Sequence, residues 1–259
     1  EHQVERKPLR QQFALLLKND QWLLLCGVCV LGTIGYVVRG SVALYYAKYY
    51  LGGDATVQSL FLSTGVGAAI LAMVASTWIT KSYCKVKLFK YSQMAVGALS
   101  ILMFLLVGPG DMLLAFVLFF LLSFVVDLHA PVFWSAIAEA VDYGEHKTGQ
   151  RVAGLSFGGI SFCQKAGMGV AGAVVGMLLA GFGYQPDVAQ TEQALIGIAL
   201  MLTVIPGVFH YLVGLLMLRY RITDAAYRQL LAELDVKIAP ANANSPTTVA
   251  GQPNILVSK

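Results

Sequence analysis

The stretch SFCQKAGMGVAGAVVG (161–176) carries one charge, the ammonium of Lys165, inside a run from Val152 to Pro186 that holds no other charged residue. A hydrocarbon core takes about 20 residues to cross at helical rise, so this run reads as a membrane-spanning helix with a cation in its interior. Working outward, comparable apolar runs fall at 22-50, 57-80, 91-108, 112-138, 152-180 and 193-218. The 259 residues are 57% hydrophobic and 12% charged, where a soluble domain carries about 25% charged residues, and the mean hydropathy is +0.68. The expected fold class is an all-α membrane protein with six transmembrane helices.

Basic residues accumulate on the cytoplasmic flanks of membrane proteins. Fifteen of the eighteen Lys and Arg lie before the first span, between spans two and three, between spans four and five, or after span six. The alternate loops LGGDAT (51–56), GPGD (108–111) and GFGYQPDVAQT (181–191) contain none, and Arg39, Lys48 and Lys165 fall inside spans. Both termini are therefore expected to be cytoplasmic. This asymmetry explains the net charge of +4 without a nucleic-acid partner.

The sequence opens on Glu1 and lacks the apolar core of a secretory signal, which reads as a start within a longer chain. Residues 1–20 are expected to be a cytoplasmic linker without a fold of its own, and 21–220 the six-helix bundle. Residues 221–259 are expected to be a cytoplasmic tail, with a short amphipathic helix at 223–236 (Ala226, Leu230, Leu231 and Leu234 on one side) before a disordered segment. Cys26, Cys29, Cys84 and Cys163 read as unpaired packing thiols. Gly172, Gly176 and Ala180 form a small-residue ladder suited to close helix packing. Pro131 and Pro206 are expected to kink spans four and six, Pro131 just before span four leaves the membrane.

The polar residues within spans are the candidates for function, because ionisable groups are costly in lipid. Lys165 lies fourteen residues beyond Arg151, about 21 Å of helix, too deep to snorkel. With Ser161 and Gln164 it forms one polar face that should meet water or an acid. Arg39 reads as cavity lining or as a structural partner of an acid; its neighbours Tyr36 and Tyr46 offer hydroxyls and ring faces to a polyol, while Tyr49 and Tyr50 suit the interfacial belt. Asp127 and His129 could serve a proton relay or the substrate, or Asp127 could pair with Lys165 or Arg39. Trp134 is placed to border a sugar ring. In EAVDYGEHKTGQR (139–151), read as a loop, Glu139, Asp142 and His146 recur at spacings of three and four beside Arg151. An ion-pair latch between helices accounts for them with fewer requirements than a metal site.

Residues 131–184 contain DYGE (142–145), Gly149, Arg151, Lys165 and the closing pair Gly183-Tyr184, and VRGSVALYY stands at 38–46. In these pieces, over residues 18 to about 222, the chain resembles the glycoside-pentoside-hexuronide:cation symporters, the melibiose-carrier-like branch of the major facilitator superfamily. The resemblance implies a twelve-helix carrier of which this chain is the C-terminal six-helix bundle. It places Lys165 at the sugar cavity with Ser161 and Gln164 beside it, and Asp142 and Arg151 in a cytoplasmic gate with Glu139. Ile160 stands where the melibiose carrier is polar, so galactoside specificity does not carry over. The implied cation site (H+ or Na+) lies in the N-terminal half, with no other cofactor.

The function expected is half of a sugar:cation symporter in a bacterial inner membrane, its partners a sugar, a coupling cation, the N-terminal bundle and the bilayer. The competing reading is a truncated or non-transporting scaffold or sensor. A membrane enzyme is disfavoured, because no nucleophile with a facing base appears at membrane depth.

Overall fold

A computed structural model describes residues 8–243. Six helical runs are long and apolar enough to cross a membrane: Asp20–Tyr50, Ala55–Ile79, Lys85–Leu106, Met112–Thr148, Ala153–Gly181 and Glu192–Arg219. The elements are α1 (Leu9–Leu17), α2 (Asp20–Tyr45), α3 (Ala55–Ile79), α4 (Lys85–Leu106), α5 (Met112–Asp127), α6 (Ala130–Thr148), α7 (Ala153–Gly181), α8 (Glu192–Leu202), α9 (Val204–Leu216) and α10 (Asp224–Ala243). Among the described residues there is no strand.

Helix starts follow from capping chemistry. Asn19 accepts from the Trp22 N–H at 3.0 Å, Asp54 from that of Val57 at 2.9 Å and Thr191 from that of Ala194 at 3.2 Å. Gly149 ends α6 in the left-handed region, at φ 71°, a conformation glycine adopts without steric cost.

The fourth and sixth runs are broken. Pro131 has no N–H, so the Asp127 carbonyl loses its donor four residues on, and the chain turns at Leu128 and His129. The break falls near the middle of the Met112–Thr148 run, not at its exit, because the helix continues through the segment 139–148 that the sequence suggested was loop. The Val126 carbonyl, next to the break, accepts from Gln93 Nε2 at 3.1 Å and from Nδ1–H of His129. In the sixth run Pro206 likewise removes a donor. The chain bends at Thr203 (φ −114°, ψ −86°), whose hydroxyl donates to the Ala199 carbonyl at 2.6 Å.

Helix α2 is central, packed along α7 and α9, while α4 packs along α9 and α3 along α5. Two apolar clusters fill the bundle, one around Leu25, Phe89, Ile137 and Ile160 and one around Val38, Phe61, Met103 and Met201. Gln93, Asp127 and His210, all buried, lie between them along α4, α5 and α9. Close approach depends on glycines other than the expected ladder. A Cβ on Gly207 would lie 2.5 Å from that of Ser100, and one on Gly159 would lie 2.5 Å from the Trp22 ring. A Cβ on Gly172 or Gly176 would meet nothing within 4 Å, so these two glycines pack against no other helix among the described residues.

The basic end departs from expectation in two places. Residues 9–17, expected to lack structure, form α1, which contacts α6 and α7 and buries Leu16. The amphipathic segment is longer than foreseen, α10 running to Ala243 through residues 239–243 that were assigned to disorder; the rest of that assignment, 244–259, lies outside the described residues. α10 packs on α6 through Tyr227 donating to Asp142 at 2.6 Å.

Gly207→Leu should cost about 1–3 kcal/mol through overpacking against Ser100, read as a lower midpoint of thermal unfolding of the purified chain in detergent. Gly176→Ala, which meets nothing, should leave that midpoint unchanged.

Candidate functional site

The bundle is hollowed by a cleft of about 280 Å³ between α2, the start of α6, α7 and α9. Its floor is made by the break in the fourth run, which turns Asp127 and His129 toward it, and by His210 of α9. Gln93 fixes this floor. Its amide donates to Val126, so its Oε1 accepts from Nδ1–H of His210 at 2.7 Å. That assigns the His210 tautomer and leaves Nε2 without a partner.

The walls are aromatic and polar. Tyr36, 54% exposed, and Thr33 come from α2, Phe133 and Trp134 from α6, and Gln164 and Met168 from α7. Trp134 is 48% exposed, a free ring face on the rim.

At 100° per residue, α7 presents three faces. Ser156, Ile160, Gly167 and Ala171 are buried, and a Cβ on Gly167 would lie 3.2 Å from Thr33 and from the Val30 carbonyl of α2. Phe162, Val170 and Met177, on the far side, are exposed and bulky, as suits lipid. Between them runs a face of Gly154, Gly158, Ser161, Lys165, Gly172 and Gly176, adjoining the cleft residues Gln164 and Met168; beyond the helix's own backbone, no atom of the described residues lies within 4 Å of where these glycines would carry a Cβ. Ser161 and Lys165 are exposed there, and Lys165 makes no hydrogen bond or ion pair with the described residues. Lys165 thus lies on the face between the cleft residues and the bulky apolar side. Ile160 is 1% exposed and faces α2, so its side chain does not reach the cleft.

One expectation is corrected. Tyr46 is 1% exposed, stacked on Tyr50 and Phe61, and does not line the cleft; Tyr36, ten residues earlier, does. Asp127 makes no hydrogen bond or ion pair with Lys165 or Arg39. Arg39 is 5% exposed, with Nε and Nη2 unpartnered, and sits behind the floor within Coulombic reach of Asp127 and Tyr36. His210 and Thr33 were missed in the sequence: each is an isolated polar residue in an apolar helix, a weak signal until neighbouring helices converge on it.

At the basic end Glu139, Asp142 and Arg151 are all engaged within this chain. Glu139, 3% exposed, accepts from Lys85 and from Ser135 at 3.0 Å. Arg151 bonds Asp142 and, at 2.8 Å, Glu145; the Glu145 bond, then that to Asp142, outweigh partial burial and push its guanidinium above the usual range. His146 pairs with Glu233 of α10 at 2.7 Å. Among the described residues no three His, Cys, Asp or Glu side chains lie close enough to hold a metal, and all four cysteines are free thiols.

The family profile described as "MFS/sugar transport protein" matches residues 1–224. YagG of Escherichia coli K12, a candidate glycoside/cation symporter by its name, is 31% identical over 222 residues, covering 85% of this chain and 48% of the relative. The isoprimeverose transporter of Lactiplantibacillus pentosus is 30% identical over 241 residues (91% and 49%), and the inner membrane symporter YicJ of Escherichia coli K12 is 28% identical over 213 (82% and 46%). The chain spans about half the length of these relatives.

In a background lacking the four native cysteines, Gln164→Cys should react with a water-soluble maleimide about tenfold or more faster than Ile160→Cys, since thiol reactivity follows access. Equal rates, followed by mass shift, would contradict the position of the cleft wall.

Proposed function

The chain belongs to the MFS/sugar transport protein family, and from that premise we propose that it is the C-terminal six-helix bundle of a sugar:cation symporter of the glycoside-pentoside-hexuronide type. The observation that carries this reading is the cleft: a hollow at membrane depth, lined by a phenol, an indole, an amide, a carboxyl and imidazoles, in a protein that is otherwise apolar. Of these the phenol and the amide offer hydrogen bonds to sugar hydroxyls, and the aromatic rings offer their faces to the sugar ring.

The cleft is a half-site in this account. A second six-helix bundle closes it, and rocking of the two bundles exposes the sugar to each side in turn. Lys165 and Ser161, on the unpacked face of α7, meet the sugar or the second bundle. Gln164, Tyr36 and Trp134 hold the ring, and Arg39 supports the floor. Asp142, Arg151 and Glu139, tied within this bundle, keep the basic ends of α4, α6 and α7 together and contribute to a gate. The basic end is cytoplasmic, the membrane is a bacterial inner membrane, and the chemistry is transport without covalent change. The coupling cation is H+ or Na+.

The test is uptake of radiolabelled methyl xyloside, methyl galactoside and methyl glucuronide by the complete carrier in proteoliposomes, with and without sodium and a proton gradient. No uptake of any of them under any gradient would defeat the proposal in favour of a non-transporting membrane protein. Lys165→Leu should abolish uptake with the protein still present in the membrane. Tyr36→Phe should weaken apparent affinity by about five- to tenfold, the worth of one hydrogen bond, while Tyr46→Phe should leave it at the wild-type value.

A further inference from the structure

Three side chains at or behind the floor of the cleft are at least nine-tenths buried yet have polar atoms without a partner. Asp127 is 8% exposed and has no hydrogen-bond or ion-pair partner among the described residues. Arg39 is 5% exposed with two unpartnered nitrogens, and His210 is 1% exposed with Nε2 unpartnered. An unpaired carboxylate held out of water is costly, and the cost falls when it takes a proton or a ligand cation from the only space it faces. That space is the cleft.

The surroundings decide between the two. A metal cation held by protein needs several oxygen donors. Around Asp127 are the guanidinium of Arg39 and the phenol of Tyr36 from α2, the imidazole of His129 at the break and that of His210 from α9, with Lys165 on the adjoining face of α7; α4 contributes the uncharged Gln93, and α3 has no titratable residue. One carboxylate and one phenol do not supply the oxygen donors of a metal cage, whereas a single carboxylate oxygen is enough for a proton.

We propose that Asp127 is a proton-binding site within this bundle, reached through the cleft, and that its protonation couples a proton gradient to movement of the sugar. A hydronium ion in the cleft gives its proton to a carboxylate oxygen of Asp127 and leaves as water. Arg39 stays protonated throughout, and Asp127 returns the proton to water when the cleft opens to the other side. This rests on the transport reading above and adds to it a coupling site in this half of the carrier.

Two assays of the complete carrier in proteoliposomes separate the ideas, using whichever of the three labelled glycosides the wild type exchanges: accumulation driven by a proton gradient, and exchange at equal concentrations without one. Asp127→Asn should lower accumulation by about tenfold or more, as removal of an intramembrane proton acceptor would, and keep exchange within about threefold of wild type. Retained accumulation would overturn the proposal, as would loss of exchange together with accumulation in protein that reaches the membrane. Asp127→Glu keeps the carboxyl but moves it, so its accumulation should persist with a displaced dependence on external pH. An unchanged pH profile would overturn the proposal even if the asparagine variant fails to reach the membrane. Exchange without any proton-driven accumulation in the wild type would defeat this inference alone; absence of exchange for all three glycosides would defeat the transport reading.

Discussion

A backbone carbonyl in a membrane interior must find a donor inside the protein, since lipid supplies none. At Val126 that requirement organises the molecule. The helix stops one residue later, and the carbonyl is met by Gln93 and His129. Gln93 in turn orients His210, so one acceptor ties α4, α5 and α9 together at the level where Asp127 and His129 turn into the cleft. At the break the Val126 carbonyl is answered by one near neighbour in sequence, His129, and by one residue of a distant helix, Gln93.

The same economy governs the rest of the bundle. Trp22 donates to the Ser156 carbonyl at 3.0 Å and covers Gly159, while Asn19 caps α2 and donates to the Ala140 carbonyl at 2.6 Å, clamping the basic ends of α2, α6 and α7. At the opposite end Tyr50 donates to the Val107 carbonyl at 3.0 Å, and Lys48 pairs with Asp187 at 2.9 Å. Both ends are stapled by polar contacts while the middle is hollow. That distribution lets a rigid bundle carry a polar cleft: the apolar clusters on either side of the floor resist collapse, and the unpacked glycine face of α7 adjoins the cleft residues Gln164 and Met168.

That face also fits the length relation with the relatives. A helix meeting only lipid gains nothing from glycine, whereas one meeting another helix does. α7 has bulky residues on its lipid-like side and small ones beside Lys165. The division of faces therefore accords with the proposed second bundle.

The sequence by itself determined the class of the protein. Six runs of sufficient length and apolarity can be read without coordinates because the hydrocarbon thickness sets their length, and the alternation of basic loops marks one end because charge is read locally. It also pointed to Lys165, Gln164, Arg39 and Asp127, since any ionisable or amide group in such a run is conspicuous. Only the tertiary structure decided what each of them faces. Tyr46 and Tyr36 look equivalent along the chain, yet Tyr46 is stacked in the core and Tyr36 opens to the cleft. The loop expected at 139–148 is helix because α4 and α10 supply partners for its acids, and the fourth run breaks at mid-span because Gln93, 33 residues upstream of the carbonyl it serves, makes a free carbonyl affordable there. Helical period and composition are local quantities, whereas the direction of a side chain toward cleft, core or lipid depends on which helices pack around it.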